Sequence, residues 1–110
     1  MSDERRVREW AEISDEPLDQ SAISKLYVGR GPHRVSTSWY PAGSSFRGTT
    51  RSGTVYVFEG CCRYEVDGHA IELHAGQFAE LPGGEYGFEA LGSEPVLLVK
   101  VWKLPDSVLG

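Results

Sequence analysis

Three charged side chains are the strongest candidates for taking part in catalysis or ligand binding, namely Glu89, Arg47 and Arg51. If Glu89 faces an apolar interior, burial disfavours its charged form and raises its pKa, which suits a general acid or base. Arg47 or Arg51 would then compensate that charge or clamp an anionic ligand, because guanidinium groups bind carboxylates in a bidentate way. In the opposite strand register, Phe88 and Ala90 face inward and Glu89 is solvated. The pattern leaves both orientations open, and the inward one predicts proton transfer by Glu89.

Tyr64 is the second candidate for proton transfer or ligand binding. The segment Cys62–Val66 alternates in polarity, so Cys62 and Tyr64 should face the interior while Arg63 and Glu65 face solvent. A phenol that faces a cavity can donate to a carbonyl or relay a proton. The alternative is a core aromatic residue whose hydroxyl points to the mouth of the fold.

The two cysteines, Cys61 and Cys62, are adjacent in the sequence. Successive side chains of a strand point to opposite faces, so the pair cannot form a disulfide without distortion, as expected in a reducing compartment. A metal role would need further soft or imidazole ligands, and none follows at Cys-x-x-Cys spacing. His69 and His74 fall at a turn or on the wet face and His33 in a loop, where a solvated role is the simpler interpretation.

Composition and charge indicate one globular domain. The chain has 110 residues, 40% hydrophobic and 25% charged, enough to bury a core without disulfides. Its net charge of −5 argues against nucleic-acid binding, which requires a basic face. No run approaches the roughly 18 apolar residues of a membrane helix, and the first ten residues lack the apolar part of a secretory signal. We therefore expect a cytoplasmic protein that binds neither nucleic acid nor membranes.

The elements that must position these residues are predicted to be almost entirely strands. Residues 1–22 are charged and contain no Gly, which predicts a separate arm that covers a sheet edge, its own or a partner's, or is frayed. Residues 23–110 form the β-barrel domain. The predicted strands are Lys25–Val28, Arg34–Tyr40, Thr54–Phe58, Cys62–Val66, Ala70–Leu73, Phe78–Leu81, Tyr86–Leu91 and Val96–Trp102. Asp67–Gly68 is the strongest hairpin signal, since type I′ turns need positive φ at both central residues.

The order and spacing of several short motifs resemble the cupin family. These motifs are Pro41–Gly43, Val55–Gly60, Val66–Gly68, Ala75–Gly76 and Leu81–Gly84. The second cupin motif reads G-x5-P-x-G-x2-H, and Gly76, Pro82 and Gly84 match it with Gly87 in the place of the histidine. The resemblance covers about residues 35–102. It implies an all-β, single-domain antiparallel β-barrel, or jelly roll, that forms a homodimer.

One branch of the family is more similar than the others. In cupins of the ureidoglycine aminohydrolase and ureidoglycolate-lyase-like group, the second motif continues with Gly and an aromatic residue, followed by a Glu and a later Lys. The residues that follow this outline are Pro82, Gly84, Gly87, Phe88, Glu89 and Lys100.

The metal ligands of the first cupin motif are not retained. Counted forward from the start of the motif, Thr49 and Arg51 stand at the two His positions. Counted back from its end, Arg47 and Thr49 do, with Gly53 at the Glu position. Residues 44–57 contain no His, Glu, Asp or Cys, whereas a transition metal needs three or four such ligands. We therefore expect neither a metal nor another cofactor in the barrel.

Three functions are compatible with these residues. The first is a metal-independent barrel that binds a small polar or carboxylated metabolite. The second is a metal-free lyase, isomerase or hydrolase in which Glu89 or Tyr64 transfers a proton. The third is a structural or protein-interaction domain with a filled barrel. The segment 44–52 is polar and contains Gly48, which predicts a loop or a lid over the mouth. The residues expected to bind a ligand are Trp39, Arg47, Thr49, Arg51, Cys62 and Tyr64.

Overall fold

The described residues form nine strands and one short α-helix. The computed structural model describes residues 7–29, 31 and 33–103. The strands are β1 (Val7–Glu9), β2 (His33–Tyr40), β3 (Ser45–Thr50), β4 (Gly53–Glu59), β5 (Cys61–Val66), β6 (His69–His74), β7 (Gln77–Leu81), β8 (Gly84–Leu91) and β9 (Val96–Lys103). The helix α1 is Gln20–Leu26, and a 3-10 turn covers Trp10–Glu12. The first six residues of the predicted arm and the last seven of the predicted barrel domain lie outside the described residues.

Two antiparallel sheets face each other across the main core. One sheet has five strands in the order β1-β7-β4-β9-β2, and the other has four in the order β3-β8-β5-β6. Because strand side chains alternate, each sheet sends one face into the shared interior. The core between the sheets consists of Val55, Val57, Cys62, Tyr64, Val66, Ile71, Leu73, Ala79, Leu81, Tyr86, Phe88, Ala90, Val96 and Leu98. This arrangement confirms the predicted all-β antiparallel barrel.

A tight turn fixes the register of the β5–β6 hairpin. Asp67 and Gly68 both have positive φ, 54° and 78°, as a type I′ turn requires. The turn pairs Tyr64 with Ile71 across the two strands, and both residues are buried. The predicted turn and the predicted inward face of β5 are therefore confirmed.

The predicted strand Lys25–Val28 is wrong, because this segment includes the end of α1. The side chain of Asp19 caps the helix and accepts a hydrogen bond of 2.8 Å from the backbone N–H of Ala22. Ala22 and Ile23 are buried, so the helix has an apolar face directed at the protein. Local capping and this apolar face favour a helix over the strand that the apolar residues indicated.

The N-terminal segment packs on the outer face of the five-stranded sheet. β1 adds to the edge of that sheet next to β7, with Val7 opposite Ala79. The ring of Trp10 lies edge-on to Tyr56 at 6.0 Å between centroids. The second core formed in this way contains Trp10, Ala22, Ile23, Tyr56, Phe78, Val99 and Val101. The sheet is therefore buried on both faces over much of its length.

The interpretation of segment 44–52 as a loop or lid is wrong for residues 45–50, which form β3. This strand pairs with β8, with Phe46 opposite Phe88 and Arg47 opposite Gly87. Phe46 packs against the core while Arg47 is exposed. The polar composition hid the strand, since Phe46 is its one large apolar residue. None of the helices in the described part of the chain has the length and apolarity that crossing a membrane requires.

Candidate functional site at the mouth of the barrel

A small cavity opens where β3, β4, β5 and β9 meet. Its lining residues are Thr50, Arg51, Gly53, Thr54, Val55, Tyr64, Leu81, Lys100, Val101 and Trp102. The space in it is about 10 Å³, room for roughly one water molecule. Most of the lining is apolar, and its polar groups come from Lys100, Tyr64 and the residues at the rim. This is the place where interior polar groups and solvent meet.

Lys100 carries the cationic group of this site. On β9, Val96 and Leu98 belong to the inner core, whereas Val99 and Val101 belong to the outer one, so Lys100 lies on the inner face. Its Nζ lies 5.0 Å from the ring centroid of Tyr86, a cation–π contact. Burial lowers the pKa of Lys100, because desolvation disfavours the charged form. Among the described residues, no carboxylate forms an ion pair with it.

Tyr64 lines the same cavity as this cation. The side chain is 1% exposed, and the Nζ of Lys100 lies 5.7 Å from its ring centroid. Its hydroxyl is buried and has no hydrogen-bond partner among the described residues. Burial also raises the pKa of Tyr64, so the phenol stays protonated at neutral pH and acts as a donor. A buried hydroxyl without a partner costs about 1–3 kcal/mol, which marks this group as unusual.

Cys62 faces the interior as predicted, but it is not among the residues that line the cavity. Burial raises the pKa of its thiol to about 12. The thiol is therefore protonated and unreactive near neutral pH. Cys62 is a core residue, and its expected contact with a ligand at the cavity is not seen.

The inward orientation of Glu89 is wrong. Phe88 and Ala90 are buried, and Glu89 lies on the outer face of the four-stranded sheet, where it forms an ion pair with Arg63. Since a strand alternates strictly, the position of Phe88 in the core excludes Glu89 from it. The interior carboxylate that a proton-transfer role for Glu89 requires is thus absent from its expected place.

Two of the residues expected to bind a ligand, Arg47 and Thr49, lie on the outer face of β3, so their expected place in the barrel is wrong. Both are exposed, and Nη1 of Arg47 lies 3.4 Å from Oε1 of Glu65. The inward positions of this strand belong to Phe46 and Gly48 instead. A Cβ on Gly48 would lie 3.2 Å from the ring of Tyr86, so the absent side chain makes room for that ring.

Of the other residues expected to bind a ligand, Arg51 lies at the cavity and Trp39 does not. Arg51 is exposed but lines the rim of the cavity, where a ligand would pass. Trp39 is 60% exposed, so the prediction that it lines the barrel is wrong. The next residue on β2, Tyr40, packs inward at 4.7 Å between ring centroids from Phe88. A shift of one residue in strand register exchanges the two aromatic side chains.

The barrel interior does not fit the divalent metal that the cupin resemblance implies. No His, Asp or Glu among the described residues is buried. The described side chains that bring donor atoms to the barrel interior are Cys62 with a thiol, Lys100 with an amine, and Tyr40, Tyr64 and Tyr86 with phenols. Such a set lacks the imidazole and carboxylate ligands that a transition metal prefers. Gly87 does not stand in for an inward histidine either, because a Cβ there would point at Arg47 on the outer face.

Lys100 is the residue that the sequence analysis underrated. It entered only as part of the outline of a family branch. The stronger signal was its position within Val96–Trp102, because a single charged residue inside a buried apolar strand is rarely accidental.

Comparison with known proteins shows which solved structures have a similar fold. No family model and no curated protein matches the chain. Among solved structures, the Cupin_2 domain of an XRE family transcriptional regulator from Enterobacter cloacae matches 90% of this chain and 95% of its own, with a TM-score of 0.62 at 16% identity. A cupin protein from Bacteroides fragilis matches with a TM-score of 0.57 at 24% identity, over 71% of this chain and 70% of its own.

A third match is to part of a longer chain. The cupin domain of Schizosaccharomyces pombe Cnp3 gives a TM-score of 0.60 at 15% identity over 69% of this chain. This chain covers 55% of that solved chain, so it spans about half of its length. Identities this low establish the fold and not the activity. The chain therefore has the fold of these cupin domains.

Proposed function

We propose that this protein binds a small carboxylate-bearing metabolite at the mouth of its barrel, without a metal. The observation that carries the proposal is the side chain of Lys100, a cation on the inner face of β9 that lines the cavity together with Tyr64, whose hydroxyl has no hydrogen-bond partner among the described residues. Together the two groups offer an anion one charged donor and one neutral donor.

The energetics of burial explain why an anion is the expected ligand. A charge removed from water without a partner is costly, and Lys100 shows that cost as a lowered pKa. A carboxylate would compensate the charge through a charge-assisted hydrogen bond, which is stronger than a neutral one. The hydroxyl of Tyr64 can donate a second bond to the same ligand. Arg51 at the rim adds positive potential along the entrance.

The size of the cavity limits the part of the ligand that enters. Space for about one water molecule admits at most one oxygen atom of a carboxylate. The rest of the ligand would remain at the rim, against Thr50 and Arg51. The resemblance to the ureidoglycine aminohydrolase and ureidoglycolate-lyase-like branch, which includes Lys100 in its outline, supports a small carboxylated metabolite as the class.

A metal-free enzyme that uses Glu89 is not part of this proposal, because Glu89 is paired with Arg63 on the outer face. Tyr64 remains inside, but its raised pKa keeps the phenol protonated and makes it a weaker acid, so it can donate a hydrogen bond but is poorly suited to transferring a proton. Binding is therefore the function that these side chains support best.

A filled-barrel domain is the second candidate, and the aromatic cluster favours it. On the inner face of the four-stranded sheet, the rings of Phe46 and Phe88 stack with 5.0 Å between centroids, and the ring of Tyr64 meets Phe88 edge-on at 5.2 Å. Such packing leaves little interior space for a ligand. In this case the protein would act through its surface, and no small carboxylate would bind.

A panel of small carboxylates decides between the two candidates. Short monocarboxylates, ureido acids and their uncharged amides are screened by thermal shift, and positives are measured by calorimetry in the presence of a chelator. Binding of acids but not amides is expected. Lys100→Met should weaken binding by about 10–150-fold, the equivalent of one charged hydrogen bond of about 1.5–3 kcal/mol.

The matched control is Lys25→Met, which removes an exposed lysine that pairs with Glu16. It should bind as the unaltered protein does. If no acid binds, the filled-barrel candidate stands. If acids bind equally well to the Lys100→Met protein, the assigned site is wrong.

A further inference from the structure

Three metal-binding side chains meet on the outer face of the four-stranded sheet, away from the cavity. They are Cys61 at the start of β5 and Glu72 and His74 at the end of β6. The register of the hairpin puts Cys61 directly opposite His74. Glu72 lies two residues before His74, so it projects from the same face. Cys61 can face outward because its neighbour Cys62 faces the core.

The donor atoms lie at distances typical of ligands on a shared ion. Sγ of Cys61 is 3.8 Å from Nε2 of His74 and 3.7 Å from Oε2 of Glu72. Nε2 of His74 is 2.9 Å from the same carboxylate oxygen. Around a tetrahedral zinc ion with ordinary bond lengths, the sulfur–nitrogen and sulfur–oxygen distances are each about 3.6 Å and the nitrogen–oxygen distance is about 3.4 Å. The two sulfur distances agree to within about 0.3 Å.

The third distance is shorter because a hydrogen bond joins His74 and Glu72. A bound ion would replace that bond and open the pair by about 0.5 Å, a change that two exposed side chains can make by small rotations. No backbone movement is required.

The scaffold beneath the three side chains is held in place. The backbone N–H of His74 donates to Oε1 of Gln77 at 2.8 Å, and that of Ala75 donates to the carbonyl of Gly60 at 3.1 Å. These bonds close the end of the hairpin at which the donor atoms meet. Sites built on fixed strands keep their ligand geometry better than sites on loops.

We propose that Cys61, Glu72 and His74 bind a divalent transition metal, with zinc the expected ion, and leave its fourth position to water. A thiolate, an imidazole and a carboxylate form a mixed set that suits zinc rather than magnesium or calcium. The site is separate from the cavity beside Lys100, and the proposal does not depend on the function proposed there.

Cobalt(II) is the probe, because it accepts the same ligands as zinc and reports them in its absorption spectrum. Titration of the full chain with cobalt alone should give a cobalt–thiolate charge-transfer band that saturates at one ion per chain and is displaced by zinc. Cys61→Ser should abolish that band. His74→Gln and Glu72→Gln should weaken cobalt binding by more than about 100-fold, because even the loss of a supporting residue costs 10–100-fold.

His69→Gln is the matched control, since it removes an imidazole from the same hairpin at the opposite end. It should bind cobalt as the unaltered protein does, and so should Lys100→Met. Circular dichroism checks that each variant is folded. The proposal is overturned if no charge-transfer band appears, or if His74→Gln binds cobalt as tightly as His69→Gln.

Discussion

The hydroxyl of Tyr64 is the group whose removal is most informative. The side chain is 1% exposed, and its hydroxyl has no hydrogen-bond partner among the described residues. Such a group costs about 1–3 kcal/mol. Phe would retain the ring contacts with Tyr86 and Phe88, at 5.8 and 5.2 Å between centroids. We therefore expect Tyr64→Phe to raise the free energy of unfolding of the ligand-free protein by about 1–2 kcal/mol.

The assay is urea denaturation of the unaltered and variant proteins, with unfolding monitored by circular dichroism. For a domain of this size, 1 kcal/mol corresponds to a shift in Tm of roughly 4–8 °C, so the effect is also visible in thermal melts. Tyr56→Phe is the control. The hydroxyl of Tyr56 lies 2.7 Å from that of Tyr27, and its loss should lower stability by about 0.5–1.5 kcal/mol.

The two variants therefore each remove one tyrosine hydroxyl, and they are expected to change the free energy of unfolding in opposite directions. If Tyr64→Phe lowers stability as Tyr56→Phe does, the hydroxyl of Tyr64 is already bonded in solution, for example to a water in the cavity. It would then be unavailable in the way that the proposed binding mode requires. If stability rises while carboxylate affinity falls, Tyr64 trades stability for function.

Four further outcomes are expected. Ile23→Ala should lower the free energy of unfolding by about 2–5 kcal/mol in urea denaturation, because Ile23 lies on the apolar face of α1 and is 0% exposed; a change below about 0.5 kcal/mol contradicts that packing. Gly60→Ala should cost more than about 2 kcal/mol in thermal melts, since φ is +84° and a Cβ would lie 2.4 Å from the carbonyl oxygen of Pro95; an unchanged Tm argues against this turn. Lys100→Met should stabilise the ligand-free protein by about 0.5–2 kcal/mol near neutral pH. Because burial lowers the folded-state pKa of Lys100 below its ordinary value of 10.5, the unfolded state binds more protons between the two values. Relative to Lys100→Met, the stability of the unaltered protein should therefore rise with pH in that window, and a constant difference contradicts the burial of the charge. The homodimer that the cupin resemblance implies is checked by light scattering, and a monomer at high concentration excludes it.

The fold was predictable where strands alternate clearly and turns have distinctive residues. The segment around Tyr64 and the Asp67–Gly68 turn are of this kind, and the structure agrees with both. Segment 45–50 was not, because its polar residues hide a strand whose partner, β8, lies about forty residues away in the sequence. Asp19 caps a helix that includes part of the predicted strand Lys25–Val28, and the apolar residues of that segment alone do not indicate the helix.

The candidate site was harder to predict, because its composition depends on strand register. A shift of one residue moves Glu89 outside and leaves Phe88 inside, and similar shifts exclude Trp39 and Arg47 from the barrel. The sequence of a short strand indicates poorly which residues face the core when both of its faces carry large side chains. The same limit applies to Lys100, because apolar residues flank it at every neighbouring position; the inner-core positions of Val96 and Leu98 in the structure identify its face.

The three side chains proposed to bind zinc show a second limit. Cys61 seemed to lack ligands because none follows at close spacing in the sequence. The hairpin supplies them from the neighbouring strand, and the register that pairs Cys61 with His74 is set by the turn at Asp67–Gly68. Cross-strand proximity of this kind becomes visible only when the pairing is known.

Whether Lys100 is an interior cation that pairs with a carboxylate is tested most directly by an NMR pH titration of its side chain, assigned by comparison with Lys100→Met. The expected pKa is below the ordinary lysine value in the ligand-free protein, and it should rise when a carboxylate that binds is added, because the anion favours the charged amine. A lysine that titrates at its ordinary value, and does so unchanged in the presence of every carboxylate tested, would contradict the proposed binding site.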